Sequence, residues 1–320
     1  MTERLLTVLS GPMPHHLDHL APFAWVKNAP LWVEDPLIAN LAKHYYPQIK
    51  LIEGPFSLQE VADTFDTIVV STKSAPAQLR AIADSFKMSH LKFAYLPHGQ
   101  SDKGLTDPLM RSIEHADIAY IYGKLQHERI IEFGANQTIG HIEMVGNFRK
   151  RFYETFQEFQ DQVTTAEIFS PLKSNRPTYL YAPTWSNTSH LANIEALIAH
   201  FPKEMNLIIK LHPLIEKIHP AHAFFFQSQD LAKPNLRVID TFPLIYPLLA
   251  KIDGYIGEDS AVGYDFLTFN RPMFFLAEDN LPLYECGIKT PDIKSLLQNL
   301  QKPQNHLAPI RQHQIDATWA

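Results

Sequence analysis

The stretch GYIGEDSAVGYDF at residues 254–266 contains the junction that decides the fold. Its apolar run Gly254–Ile256 passes through a turn of small and acidic residues into a helical pattern that begins near Ser260. A buried strand that leads directly into a helix is the repeating unit of parallel α/β sheets. The first turn of such a helix presents free N–H groups to an anion, so Ser260 is a candidate phosphate contact. Asp259 and Ser260 are equally consistent with an ordinary helix N-cap.

The same alternation of short apolar runs and longer amphipathic stretches extends outward from this junction along the chain. The runs are apolar throughout, as expected of parallel strands that are covered on both faces. The predicted strands of the first half are Leu5–Leu9, Ile49–Ile52, Thr67–Ser71, Phe93–Leu96, Ile118–Tyr122 and Ile142–Val145. Those of the second half are Thr178–Ala182, Leu207–Leu211, Arg237–Ile239, Gly254–Ile256 and Met273–Leu276.

The alternation is interrupted at residues 146–177, where a polar stretch leads into a segment that contains Ser, Asn and Pro. Such a break between two βαβ series indicates an inter-domain connection. We therefore predict two Rossmann-like α/β domains, residues 1–160 and 161–320, with parallel sheets facing each other across a cleft. The polar tail from about Pro303 is expected to be poorly ordered before Trp319.

The composition excludes several classes of protein. A net charge of -6 leaves no excess of Lys and Arg to cover phosphates, which argues against nucleic acid as a partner. The first apolar run is too short for the core of a signal peptide, and no run is long enough to span a bilayer. A single cysteine, Cys286, is typical of a reducing compartment, so we expect a soluble cytoplasmic protein.

Ligands of doubly wound folds bind beyond the carboxyl ends of the strands, and one loop in each predicted domain stands out there. His98 follows the strand that ends at Leu96, and Gly99 lets the backbone turn tightly behind it. A histidine in this place is suited to accept a proton from an attacking hydroxyl. After the first strand of the second domain, Thr184 and Ser186 offer hydroxyl groups to a phosphate.

Two further loops of the second domain carry polar residues at strand ends. His212 follows the strand that contains Lys210, and it either donates a hydrogen bond to a phosphate or only caps the strand. In the opening stretch, Glu258 would hydrogen-bond a hydroxyl or pair with a base next to the phosphate seat.

Histidine clusters invite a metal interpretation, which we do not adopt. His15, His16 and His19 form one cluster, and His219 and His222 form another. Zinc sites need three or four ligands in a fixed geometry, and neither cluster has an acidic or Cys ligand nearby in the sequence. We therefore predict no metal site, although His15 follows the first strand and is placed to line the cleft.

The four loops together resemble the CDP-glycerol glycerophosphotransferase family, whose members act in teichoic-acid and related capsule synthesis in the cell envelope. A fifth segment, Val145-Gly146-Asn147-Phe148-Arg149, resembles the V-G-x-P-R segment of that family, with Phe148 in place of proline. The resemblance covers residues from about 90 to 280. The other matching segments are His98-Gly99…Lys103, Tyr181-Ala182-Pro183-Thr184-Trp185, Lys210-Leu211-His212-Pro213 and Glu258-Asp259-Ser260…Asp265-Phe266.

The resemblance implies a transferase of the GT-B architecture, with an acceptor-side domain at 1–160 and a nucleotide-donor domain at 161–320. His98 would be the general base, while His212 and Ser260 would bind the donor pyrophosphate. Glu258 would lie near the cytidine ribose or the transferred group. It further implies a CDP-linked donor, with CDP-glycerol favoured, and a hydroxyl-bearing glycan or lipid-linked acceptor. A membrane-bound acceptor would then be reached by peripheral contact with the inner face of the membrane. The resemblance implies no cofactor.

Departures from the family pattern keep two alternatives open. Ser186 and Asn187 follow Trp185, where the family usually places Arg, and Ala261 replaces a serine of the acidic turn. The first alternative is a nucleotide-sugar glycosyltransferase or sugar epimerase of the same fold. The second is a non-catalytic nucleotide-binding protein, which the missing Arg favours and the presence of His98 together with His212 disfavours.

Overall fold

The computed structural model describes residues 4–102, 113, 115–184 and 189–320. The chain divides into two compact units, Met1–Phe156 with Ala317–Ala320, and Gln157–Asp316. Among the described residues, no helix is long and apolar enough to cross a membrane.

The first unit is built on a parallel sheet. Its described strands are β1 (Leu5–Leu9), β2 (Leu31–Val33), β3 (Leu51–Glu53), β4 (Thr67–Val70), β5 (Lys92–Tyr95), β6 (Ile118–Ile121) and β7 (His141–Met144). They are arranged in the order β3-β2-β1-β4-β5-β6-β7, and each neighbouring pair is parallel. The described helices between them are α1 (Pro14–Val26), α2 (Pro36–Tyr45), α3 (Leu58–Ala62), α4 (Ala75–Ser85) and α5 (Lys124–Glu132), and α6 (Phe148–Thr155) follows β7.

The second unit repeats this plan. Its described strands are β8 (Thr178–Ala182), β9 (Asn206–Lys210), β10 (Leu236–Ile239), β11 (Gly254–Gly257), β12 (Met273–Leu276) and β13 (Ile288–Thr290). Their order is β10-β9-β8-β11-β12-β13, again parallel throughout. The described helices are α7 (Gln157–Thr164), α8 (Ser189–His200), α9 (Pro213–Ile218), α10 (Pro220–Ala232), α11 (Ile245–Ala250), α12 (Ala261–Leu267), α13 (Ile293–Asn299) and α14 (Ala308–Trp319). The last residues of α14 group with the first unit.

Both strand orders follow the doubly wound Rossmann pattern, in which the chain winds outward in both directions from a central pair. The predicted class, two Rossmann-like domains with parallel sheets, is therefore confirmed. The sequence analysis missed β2 and β13, each of which is only three residues long. Runs that short carry too little periodicity to be distinguished from loops.

The ends of the units differ in detail from the sequence expectation. The predicted boundary after residue 160 falls inside α7, which groups with the second unit. The expectation of a poorly ordered tail is wrong, since α14 extends to Trp319, whose ring lies 5.2 Å from that of Tyr122. The polar composition of the tail gave no indication that the last turn of α14 makes buried contacts.

The first unit is held together at α1, a helix buried along most of its length. Its Asp18 forms a buried ion pair with Arg149 of α6. Arg149 Nε donates to Asp18 Oδ2 at 3.0 Å and to the Asp18 carbonyl oxygen at 3.1 Å. The Tyr46 hydroxyl donates to Asp18 Oδ1 at 2.7 Å. Arg149, which matched a family segment in the sequence, thus joins the first and last helices of its unit.

We expect Arg149→Met to lower the free energy of unfolding by about 3–5 kcal/mol, because it leaves the buried Asp18 carboxylate without its cation. The control is Lys43→Ala, which removes the ion pair between Lys43 and Glu53. The side chain of Lys43 is 54% exposed and that of Glu53 is 45% exposed. That pair is worth about 1 kcal/mol or less. Urea unfolding of both variants measures the difference, and equal losses would contradict a structural role for Arg149.

Candidate active site

The carboxyl ends of parallel strands meet at one edge of each sheet, and the chemically distinctive residues follow strands that end there. In a doubly wound sheet the binding crevice lies where the chain order reverses. In the first unit this is the neighbouring pair β1 and β4, which are followed by the start of α1 and by Ser71. In the second unit it is β8 and β11, which are followed by Thr184 and by Glu258.

His98 lies beyond the end of β5, and its hydrogen bonding defines its tautomer. Its Nδ1 lies 3.0 Å from the carbonyl oxygen of Ser71. A carbonyl oxygen only accepts hydrogen bonds, so Nδ1 carries the proton and the lone pair is on Nε2. Burial is the main cause that lowers the pKa of His98 below 6.5. A neutral imidazole with an Nε2 lone pair is what a general base requires.

Gly99 gives the backbone its turn immediately after the histidine. Its φ is 134°, a region that L side chains rarely adopt. The preceding Pro97 accepts a hydrogen bond through its carbonyl oxygen from the Tyr122 hydroxyl at 2.9 Å. The peptide units on both sides of His98 are therefore constrained, as the sequence analysis expected for Gly99.

His15 and His16, at the start of α1, lie against His98. Candidate ligand atoms of the three rings are within 4.8 Å of one another. The rings of His16 and His98 are stacked, however, with centroids 4.2 Å apart and planes inclined by 18°. The stacked contact shows that these two rings pack against each other. The sequence prediction of no metal site at these histidines stays a prediction.

His212 caps the helix that follows β9. Its Nδ1 accepts a hydrogen bond from the Leu214 N–H at 3.2 Å. Nδ1 therefore carries the lone pair, and the proton of the neutral ring lies on Nε2. The sequence analysis offered a phosphate donor and a simple cap as alternatives for His212. The geometry makes it a cap through one nitrogen and a hydrogen-bond donor through the other.

Glu258 is buried at the end of β11, only 3% exposed. Its Oε1 accepts from the Tyr181 hydroxyl at 2.6 Å and from the Asn193 amide at 3.3 Å. Its Oε2 lies against His190 Nδ1 of α8. Burial and the adjacent carboxylate together raise the pKa of Tyr181 well above its ordinary value. Contacts from three side chains join the turn at 258–260 to β8 and to the first turns of α8.

The other predicted residues have varied surroundings. Thr184 is buried directly after β8, and the half-buried Ser260 caps α12 by accepting from the Val262 N–H at 3.4 Å. Asp259, beside it, is also half-buried. Lys210 donates to the Phe242 carbonyl oxygen at 2.7 Å, so its ammonium supports the loop after β10. Ser186 and Lys103 lie outside the described residues.

Several supporting residues escaped the sequence analysis. Ser71 and Tyr122 were placed only as strand ends, and His190 was not singled out. His16 and His19 were considered only as metal ligands and set aside. The available signal was their position, because the histidines follow the first strand and Ser71 follows the strand that pairs with it. Their contacts with the His98 loop are not readable from the sequence.

Comparison with protein families identifies one match. Residues 150–285 match the model of CDP-Glycerol:Poly(glycerophosphate) glycerophosphotransferase. This confirms the resemblance noted from the sequence. The matched range contains His212 and the turn at 258–260, and His98 lies before it. A comparison with curated protein sequences gives no match.

Solved structures share the fold over nearly the whole chain. A Staphylococcus aureus MnaA–UDP complex superimposes with a TM-score of 0.65 at 11% identity, covering 99% of this chain and 92% of that one. The wall teichoic acid polymerase TagF gives 0.64 at 16% identity, with coverages of 98% and 83%. Anabaena HepE in complex with UDP and glucose gives 0.55 at 14% identity, with coverages of 98% and 94%. These GT-B-like neighbours confirm the predicted fold class.

We expect Tyr181→Phe to lower the free energy of unfolding by about 1–3 kcal/mol, because the buried Glu258 carboxylate loses a short hydrogen bond. Tyr246→Phe is the matched control, since that hydroxyl lies 3.3 Å from Asp265 Oδ1 in the same unit. The longer bond should cost less. Urea unfolding curves compare the two variants, and a larger loss in Tyr246→Phe would contradict the importance of the Glu258 contacts.

Proposed function

We propose that this protein transfers a glycerol-phosphate group from a CDP-linked donor, CDP-glycerol, to a hydroxyl acceptor in the synthesis of a cell-surface glycopolymer. The observation that carries the proposal is the family match over residues 150–285. The matched range contains the residues to which we assign the diphosphate, the helix caps His212 and Ser260 in the turn at 258–260. TagF, a wall teichoic acid polymerase, is similar in fold.

His98 is the proposed general base. Its Nε2 lone pair accepts the proton of the acceptor hydroxyl as the hydroxyl oxygen attacks the phosphorus that carries glycerol. The bond from that phosphorus to the bridging oxygen of the diphosphate breaks, and CMP leaves. The acceptor gains glycerol phosphate through a phosphodiester, and His98 holds the proton. A lowered pKa keeps the ring unprotonated at neutral pH, ready for this step.

The second unit supplies the donor contacts in this proposal. The leaving group carries increasing negative charge as the bond breaks, so donors aimed at it lower the barrier. The Nε2–H of His212 is one such donor, oriented by the Leu214 N–H that holds Nδ1. Thr184 and Ser260 offer hydroxyl donors at the neighbouring strand ends. Asp259, also proposed as a residue that binds the CDP-linked donor, has a carboxylate that only accepts hydrogen bonds.

Glu258 acts in this scheme by holding the donor turn in place. Its two oxygens contact Tyr181, Asn193 and His190, and it is almost fully buried. The carboxylate therefore anchors the turn from behind, while Asp259 and Ser260 are the half-buried residues at its surface.

We expect CDP-glycerol and CDP to raise the melting temperature of the wild-type protein, because a ligand that binds only the native state stabilises it by mass action. At a ligand concentration of about 100 times Kd the stabilisation is about 2.7 kcal/mol. His212→Ala should reduce this shift, since the variant lacks the Nε2–H donor. The measurement is a thermal-shift panel with CDP-glycerol, CDP, CMP, UDP and UDP-N-acetylglucosamine.

The panel separates the alternatives. His222→Ala is the control, because this exposed histidine of α10 should leave the shift unchanged. A preference for UDP ligands would support a nucleotide-sugar enzyme instead. A shift with CDP-glycerol but no transfer to any hydroxyl acceptor would support a non-catalytic binding protein. No shift with any nucleotide would overturn the proposed donor.

We expect the rate constant kcat/KM to fall on the acid side with an apparent pKa below 6.5, because His98 must be unprotonated and burial lowers its pKa. Activity is therefore retained at pH 7 and lost as the pH falls through the pKa of the folded protein. The measurement is the pH profile of CDP-glycerol transfer, with His98→Ala as the inactive reference. An acid limb at or above pH 7 would contradict the assignment of His98.

A further inference from the structure

The start of α1 contains buried histidines for which the proposed function has no role. α1 follows β1, so its first turns lie where the order of the first sheet reverses. His16 is 6% exposed and His19 is 5% exposed. Buried polar side chains need hydrogen-bond partners, and the partners of these two rings lie on the segments that flank His98.

The first route to His98 passes through Ser71. Its carbonyl oxygen accepts from His98 Nδ1, and its hydroxyl is hydrogen-bonded to His16 Nδ1 at 2.7 Å. His16 also covers one face of the His98 ring through the stacked contact. His16 is therefore linked to His98 both by direct packing and through a residue that is only 3% exposed.

The second route passes through Tyr122. Its hydroxyl donates to the Pro97 carbonyl oxygen at 2.9 Å, and it lies 2.8 Å from His19 Nδ1. A hydroxyl has a single proton, so Tyr122 donates to Pro97 and accepts from His19 Nδ1–H. His19 thereby holds the carbonyl group of the residue before His98 in place.

Electrostatics agree with a supporting role for both rings. Burial, with smaller effects from neighbouring rings, lowers the pKa of His16 to about 2. Burial also places the pKa of His19 well below its ordinary value. Both rings therefore stay neutral while His98 takes up and releases a proton, and they do not compete with it for that proton.

We propose that His16 and His19 are positioning residues that hold His98 in the orientation required for proton transfer, His16 through Ser71 and the ring stack, His19 through Tyr122 and Pro97. The inference rests on the proposed function of His98. Both routes begin on one rigid helix, α1, which the Asp18–Arg149 pair holds in the first unit. Small displacements of a catalytic group lower the rate of the chemical step, while donor binding depends on the second unit.

The test measures kcat and the KM for CDP-glycerol in transfer assays on the full chain. His16→Ala and Tyr122→Phe should each lower kcat by on the order of 10- to 100-fold, with KM changed by less than about 3-fold. Tyr122→Phe removes one oxygen and keeps the ring, so it remains informative if His16→Ala folds poorly. His19→Leu should resemble Tyr122→Phe. His19→Asn, whose amide can replace Nδ1–H, should recover a substantial part of kcat.

The controls separate this inference from the proposed function. His222→Ala should have wild-type kinetics, and each variant should keep the wild-type thermal shift with CDP. Absence of transfer by the wild-type protein would defeat the proposed function itself. The positioning inference alone would be overturned by one combination of results. The wild-type protein would be active and His98→Ala inactive, while Tyr122→Phe and the His16 and His19 variants kept the wild-type kcat. A change confined to KM would also overturn it.

Discussion

Parallel pairing is the constraint on which the rest of the structure depends. Each neighbouring pair of strands in the two described sheets runs in the same direction, so the residues after successive strands collect at one edge. That geometry brings Ser71, which follows β4, to His98, which follows β5. It likewise brings Tyr181 at the end of β8 to Glu258 after β11. Residues far apart in the chain become neighbours without any long-range sequence signal.

The two central histidines have opposite tautomers because their main-chain partners differ. A carbonyl oxygen holds the proton on Nδ1 of His98, and an amide N–H holds the lone pair on Nδ1 of His212. The first ring therefore presents a proton acceptor, whereas the second presents a proton donor. In the proposed reaction the first ring would act as the base and the second would bind the anionic leaving group.

The support of the strand-end loops also differs between the two units. In the first unit it consists of neutral rings, since burial keeps His16 and His19 uncharged. In the second unit it contains the carboxylate of Glu258. Beside these uncharged rings, the pKa of His98 is lowered mainly by burial, with smaller effects from its hydrogen bond to Ser71 and from Lys73. A buried carboxylate, by contrast, needs several donors at once, and it fixes their relative positions.

The sequence was sufficient for the fold class and for most strands, because long apolar runs alternating with amphipathic stretches leave few arrangements. It was insufficient for β2 and β13, which are too short to show a period, and for the tail, where composition suggested disorder. Positions at strand ends were predictable for His98, His212 and the turn at 258–260. Glu258 was expected near the ribose or the transferred group, but its surroundings include Asn193 and His190, whose contacts arise only after folding. The same holds for Ser71 and Tyr122.

Ser71 holds the two histidines by different parts of the same residue. The contact to His98 uses the main-chain oxygen, which every amino acid possesses, whereas the contact to His16 uses a hydroxyl, which few possess. Replacing the serine would thus erase one contact and spare the other. During divergence, the orientation of His98 would be inherited with the backbone, while the link to α1 would have to be preserved by selection on a single side chain.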